Sequence, residues 1–494
     1  MDTDLLSDTK PELPLQLDRS AADKLKAFIT GILRQQEKSY ATFTVPVEVV
    51  DPLSFLEKNW SDQTFQYYWE KPSGEFAIAA RGALVSLSAS GRGRFAAMEQ
   101  QRRSVMESAA SFVSGVESDS CLGLTFLGGF SFFDEVESAD WDSFEAASLT
   151  VPKWLITKSE AHCSATVALD LASFHSPDIL YDEVISQLHQ IDRAMSSAPG
   201  QHFPSPVSRE VTRGEAANGV SAAKLKSGFN SWISSVVKAK DQIRRKTFEK
   251  IVLARRLTVP RERSPGPTSL LNRLRQHYEN CSCFLIHPPG DKSYLGATPE
   301  QLVAFRHGLL RTEALAGSMK RGQTTTEDMH LEKALSFSAK NRHEHQFVVR
   351  DIEQRLRPFA QSIHRSDNPR VKKLSNVQHL YTPIRADLKP GATMLSVLEQ
   401  LHPTPAVGGY PWEKAASYIR QLENFERGWY AGPVGWLNAS GHGEFAVAIR
   451  SGLLSKDKAH FFAGCGIVAD SNPQTEWKEM NLKLKPMLSV LRYD

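Results

Sequence analysis

Cysteine is scarce in this chain: five among 494 residues, an odd and scattered set of Cys121, Cys163, Cys281, Cys283 and Cys465. A disulfide scaffold is excluded, and a reducing compartment is expected. Cys281 and Cys283 lack a second pair at zinc spacing, so they read as two small buried residues. Charge of one sign is also missing. Lys plus Arg is 59 against 56 for Asp plus Glu, a net of +3. That is no concentrated positive face for nucleic acid or a membrane surface. No run approaches the ~18 uninterrupted apolar residues of a membrane span. The opening Met1-Asp-Thr-Asp-Leu-Leu-Ser-Asp carries acid where a secretory signal carries base. A soluble, cytoplasmic chain that binds neither nucleic acid nor membrane is expected.

What is present is ordinary globular material, 41% apolar and 23% charged. Residues 21–37 and 178–196 have helical spacing of apolar residues. Between them, from about 41 to 175, short β-branched and aromatic segments are split by Gly, Ser and Asp, the signature of a mostly antiparallel sheet. Residues 198–222 are rich in Pro, Gly, Ser, Arg and Glu and read as a loop or linker. Beyond it we expect helices at 222–248, 327–357, 412–422 and 473–491. Strands are expected at 250–259, 282–287, 293–297, 301–306, 309–314, 430–438, 443–454 and 459–468. The class is α+β, with too many hairpins for a doubly wound parallel sheet. One domain over 1–494 is expected, with a divergent part at 1–120 and a core bearing the chemistry at 223–490.

Several polar residues stand out in the second half. Lys250 opens the strand Lys250-Ile-Val-Leu-Ala-Arg-Arg, where by itself it reads as a solvated edge charge. Glu300 follows a turn and reads alone as a loop carboxylate. Glu344 shares a helix face with Asn341, Val348 and Ile352, so it needs a partner, a cation being one candidate. His343 and His345 are two apart, point away from each other, and make a poor zinc pair. In the last helix Asn472 can cap, Pro473 takes the first position, and Glu476, Glu479 and Lys483 share a face. A surface ion-pair ladder would explain that face. The preceding strand, however, carries Gly464 and Gly466, which let backbone amides approach a ligand. With Arg450 and Gly317 added, the residues point to a Mg2+-dependent enzyme acting on a small polyanionic acid.

These segments also stand in a familiar order. Lys250-Ile-Val-Leu-Ala-Arg, Gly296-Ala-Thr-Pro-Glu, Thr312-Glu-Ala-Leu-Ala-Gly-Ser, Arg342-His-Glu-His-Gln, Val377-Gln-His-Leu-Tyr-Thr-Pro-Ile, Leu401-His-Pro-Thr-Pro-Ala-Val-Gly-Gly and Gly464-Cys-Gly-Ile-Val together resemble the chorismate-utilising enzymes, most of all the isochorismate synthases. The resemblance spans about 222 to 490 and fades before 120. It implies two large antiparallel sheets stacked face to face with helices outside. It implies Lys250 as the base that activates water and Glu300 as the acid that protonates the departing C4 hydroxyl. Glu344 and Glu479 would be Mg2+ ligands, with Glu476 as a water-mediated partner. Arg450, Gly464 and Lys483 would hold the carboxylates of chorismate, His379 would sit beside the ring carboxylate, and Gly317, Ala406 and Val407 would form walls. The amine-transferring relatives carry glutamine in place of Lys250, and some carry lysine in place of Ala316. Water is therefore the expected nucleophile, and no glutaminase subunit is expected; a monomer is the expectation. As a base, Lys250 would need a pKa lowered toward neutrality, and Glu300 a raised one. Salicylate synthase, which goes on to eliminate pyruvate, is the alternative reading, and a silent chorismate-binding protein a further one. By analogy, a menaquinone pathway is preferred over a siderophore pathway.

Overall fold

Stretches rich in Val, Ile, Phe, Tyr and Thr become strands here, because such side chains pack well on a pleated, half-buried surface. The computed structural model describes residues 17–74, 76–116, 123–160, 162–196, 227–261, 265–374 and 377–491. The expected linker at 198–222 and Cys121 lie outside the described residues. Twenty strands form one hydrogen-bonded network among the described residues. Its branch point is the strand Ala147–Ser159, which pairs along its whole length with Phe76–Ala89. Its other edge is shared by Thr125–Phe130 and His162–Asp170.

One arm runs from Phe76–Ala89 through Gln66–Lys71, Ser282–His287, Ser293–Thr298, Ser451–Leu454 and Lys458–Ile467 to Lys250–Pro260. The other runs from Thr125–Phe130 through Pro433–Asn438, Gly443–Val447, Gln301–Arg306 and Leu309–Lys320 to Val377–Leu388. Every pairing along the two arms is antiparallel. The arms are two large sheets joined at one strand, and they face each other. Tyr67 on the first donates its hydroxyl to the Gly435 carbonyl on the second at 2.9 Å. Phe76 and Trp436 meet across the gap with ring centroids 5.4 Å apart. Strands that precede residue 198 thus pair directly with strands that follow residue 222.

Most expected helices and strands of the second half are found, but one helix and one strand are broken. The helix expected over 327–357 is two, Thr325–Phe337 and Ala339–Leu356. Ser338 sits between them with extended backbone, and its hydroxyl caps the second by accepting from the Asn341 N–H at 3.3 Å; serine favours that cap over a helix interior. The strand expected over 443–454 is also broken, into Gly443–Val447 and Ser451–Leu454. The break is at Arg450, a non-glycine residue with φ of 52°. The helices Pro52–Lys58, Arg94–Glu107, Pro267–His277 and Met394–Leu401 were not anticipated. No described helix is long and apolar enough to cross a membrane.

Candidate active site

Lys250 begins its strand, but it is not an edge charge. The short strand Gly409–Tyr410 pairs with Ile251 and Lys250 and covers that edge. The lysine is buried, only 8% exposed, and its Nζ lies 2.8 Å from Glu344 Oε1. Room for it comes from Gly466 on the neighbouring strand, where an added Cβ would stand 2.8 Å from Lys250 Cε. Glu344 projects from the helix Ala339–Leu356, one turn into it. The Lys250 ammonium, working against burial, holds the Glu344 carboxyl below the usual carboxylate range.

Glu300 is buried too, in the turn between Ser293–Thr298 and Gln301–Arg306. It is not an ordinary loop carboxylate. Burial, helped by the nearby Glu313 carboxylate, pushes its pKa up to about 7, against partial relief from Lys372, Lys483 and Lys250. Behind it, Lys372 Nζ bonds Glu313 Oε1 at 2.9 Å and the Pro299 carbonyl at 2.8 Å, and Glu313 accepts from the Gln301 N–H at 3.1 Å. That half-buried frame fixes the turn on which Glu300 stands.

The cationic side of the site comes from two elements. Arg450 is buried in the left-handed bend described above, and its Nη1 reaches the Lys483 carbonyl at 3.4 Å. Non-glycine residues adopt that conformation at a cost, and such strain clusters at functional sites. Lys483, on the helix Pro473–Val490, donates to Glu479 Oε1 at 2.7 Å and to the Gly464 carbonyl at 3.0 Å. Asn472 caps this helix through the N–H groups of Gln474 and Thr475. Lys483 holds the Glu479 carboxyl low. His379 bonds Ser318 through Nδ1 at 2.9 Å, and burial with Arg450 and Lys483 drives its pKa down to about 3, so the ring is neutral. Gly317, at φ of 72°, takes up a register shift between Ala316 and Ser318.

Eleven of the twelve expected site residues line one cavity: Lys250, Glu300, Gly317, Glu344, His379, Ala406, Val407, Arg450, Gly464, Glu479 and Lys483. Glu476 is not among its lining residues. It lies behind Glu479, where burial and then the Glu479 charge raise its pKa. Tyr430 and Phe462 also line the cavity and were not singled out from sequence. Tyr430 falls in what reads as a strand but precedes it, and its hydroxyl would stand 3.2 Å from a Cβ on Gly464. His345 is buried and accounted for by Thr382, 2.7 Å from Nε2. Cys281 and Cys283 are buried free thiols.

As a metal site the geometry is open. Among the described residues no three His, Cys, Asp or Glu side chains cluster closely enough to hold an ion. Glu344 and Glu479 do feel each other's charge, and each is met by a lysine. Two carboxylates that leave the other positions to water and substrate oxygens are a donor set suited to Mg2+.

Comparison with known proteins shows the family and the fold. Residues 25–492 match the family model described as chorismate binding enzyme. The chain is 37% identical over 456 residues to the Pseudomonas aeruginosa protein named salicylate biosynthesis isochorismate synthase, covering 90% of this chain and 88% of that one. It is 32% identical to the Bacillus subtilis isochorismate synthase MenF, over 94% of this chain and 97% of the relative. Among solved structures, MenF from Escherichia coli superposes with a TM-score of 0.71 at 24% identity, covering 95% and 99% of the two chains. Anthranilate synthase component I from Streptococcus pneumoniae shares the fold at a TM-score of 0.64 and 20% identity, covering 84% and 92%. The chain belongs to the chorismate-binding enzyme family.

Proposed function

We propose that this protein is an isochorismate synthase, converting chorismate reversibly to isochorismate by adding water at C2 and expelling the C4 hydroxyl. The observation that carries the reading is the pairing of opposite roles in one cavity. Lys250 is a buried amine, and Glu300 is a buried carboxyl whose pKa lies near 7. A carboxyl that keeps its proton near neutrality can hand it to a departing hydroxyl, as an ordinary glutamate cannot. Lys250, once free of Glu344 and of its own proton, takes the proton of the attacking water. Arg450 and Lys483 bind and orient the two substrate carboxylates, while neutral His379 adds a hydrogen bond but no charge. Arg427 and Val407 close the wall on the Lys250 side, since Arg427 Nη1 holds the Val407 carbonyl at 2.9 Å and Nη2 holds the Val252 carbonyl at 2.8 Å. Glu344 and Glu479 would hold a Mg2+ ion, which when bound would neutralise and anchor a substrate carboxylate.

The absence of lysine at Ala316 and the presence of lysine at 250 favour water over ammonia, and with it a chain that works without a glutaminase subunit. One relative is named for salicylate biosynthesis and another for menaquinone. The protein makes isochorismate, and menaquinone synthesis is the favoured consumer of it. Incubation with chorismate and Mg2+, followed by chromatography, tests this reading. Isochorismate with background pyruvate is expected; stoichiometric pyruvate with fluorescent salicylate would overturn it in favour of salicylate synthase.

A further inference from the structure

A second, larger cavity of about 910 Å³ lies on the other side of the wall formed by residues 402–412. It falls within the size range of small-molecule sites. One face is aromatic: Phe132 and Trp412 meet edge to face at 5.5 Å, and Phe133 stacks on Trp412 at 6.0 Å. Arg94, from the first turn of Arg94–Glu107 and only 6% exposed, lines the same cavity, its guanidinium 4.8 Å from the Phe95 ring centroid. Its guanidinium makes one bond, from Nη2 to the Ser131 carbonyl at 3.3 Å, and its Nε has no partner among the described residues. Burial draws its pKa down to about 10, with Asp134 and Glu399 opposing only in part. Of the other arginines that line the cavity, Arg420 pairs with Asp134 at 3.1 Å and Arg355 with Asp351 at 2.8 Å, while Arg92 is exposed.

A buried cation with no carboxylate in direct contact, only the more distant charges of Asp134 and Glu399, is costly unless something completes it. We propose that this cavity is a binding site for a planar aromatic carboxylate, its carboxylate held by Arg94 and its ring packed among Phe132, Phe133 and Trp412. The flat guanidinium fork suits a carboxylate. Glu399 and Glu413 line the same cavity and disfavour a more highly charged anion such as a phosphate dianion. The site is joined to the catalytic cavity by one buried side chain. Arg427 lies 4.1 Å above the Phe132 ring and bonds the Val407 carbonyl. His402 and Tyr410 line this cavity, while Ala406 and Val407 between them line the other. A ligand on Phe132 therefore presses on a wall of the catalytic site.

Titration calorimetry of the full chain with 2-naphthoate, without substrate, tests this apart from the reaction. One equivalent should bind, roughly tenfold or more weaker in Arg94→Met, and comparably weaker for 2-naphthol, which lacks the carboxylate. Binding should survive in Arg450→Met, where occupancy of the catalytic cavity would be lost. In the unmodified protein, hydrogen exchange should slow in peptides over 92–95 and 410–417 when 2-naphthoate is added. This readout needs no variant to fold. No binding, unchanged affinity in Arg94→Met, or protection confined to peptides around Gly464 would overturn the proposal.

Discussion

Replacing Glu300 with glutamine is expected to silence the enzyme and, above neutral pH, to stabilise it. The folded-state pKa of Glu300 is about 7 against an ordinary value of 4.5, because burial disfavours its charged form. Below 4.5 the carboxyl is protonated in both states and contributes no difference. Between the two values the folded state keeps a proton that the unfolded state has lost, so stability falls as pH rises. Above about 7 the loss is complete. The gap is 7 − 4.5, about 2.5 pK units, or about 3 kcal/mol at 1.36 kcal/mol per unit. Glutamine at 300 is neutral and of like size, and it escapes that loss. Denaturant unfolding at about pH 5 and again at about pH 8 should show the Glu300→Gln advantage growing by about 2–3 kcal/mol. In a melt at the higher pH this amounts to about 3 °C for a chain of this length. Activity should fall by ~10²–10⁴. An advantage that does not change with pH would refute the assignment of the raised pKa, and with it the acid role.

Other expectations follow from the same geometry. Gly466→Ala sets a Cβ against Lys250 and should reduce kcat sharply with little change in unfolding midpoint; unchanged kcat would mean that Lys250 need not stand where it does. Glu344→Ala and Glu479→Ala should each abolish Mg2+ binding in calorimetry, whereas turnover of the parent surviving exhaustive chelation would sink the metal assignment. Arg427→Met strands the buried Glu423 carboxylate, with which Arg427 pairs at 2.5 Å, and should cost about 3–5 kcal/mol in denaturant unfolding.

Most strands on either side of the stretch 358–411 were legible because their signals are local, whereas Ala360–Arg365, Arg370–Lys373 and Val377–Leu388 were not anticipated. A β-branched run, a Pro after Asn472, or a glycine pair in a strand can each be read without knowing the neighbours. What escaped depends on distant residues. Lys250 reads as an edge charge until Tyr410, far along the chain, covers that edge. Glu300 reads as a loop carboxylate until Glu313 and Lys372 bury the turn. The break at Arg450 has no sequence mark, since arginine in a left-handed bend is dictated by packing. The missed helices did leave local marks: Asp51 caps Pro52–Lys58, and Thr393 with Ser396 forms a capping box. The split at Ser338 was equally readable as a serine cap inside an apparent long helix.

The most direct test of the account is isotopic. Conversion of chorismate with Mg2+ in water enriched in oxygen-18 should place one labelled oxygen at C2 of isochorismate. Lys250→Ala should form almost none, while its circular dichroism stays near that of the parent. At equilibrium the recovered chorismate should carry label at C4, because in the reverse reaction the roles exchange, Glu300 taking the proton of the water that attacks C4 and Lys250 protonating the hydroxyl that leaves C2. Isochorismate free of label would mean that the hydroxyl migrates within the substrate, and the division of labour between Lys250 and Glu300 would be wrong.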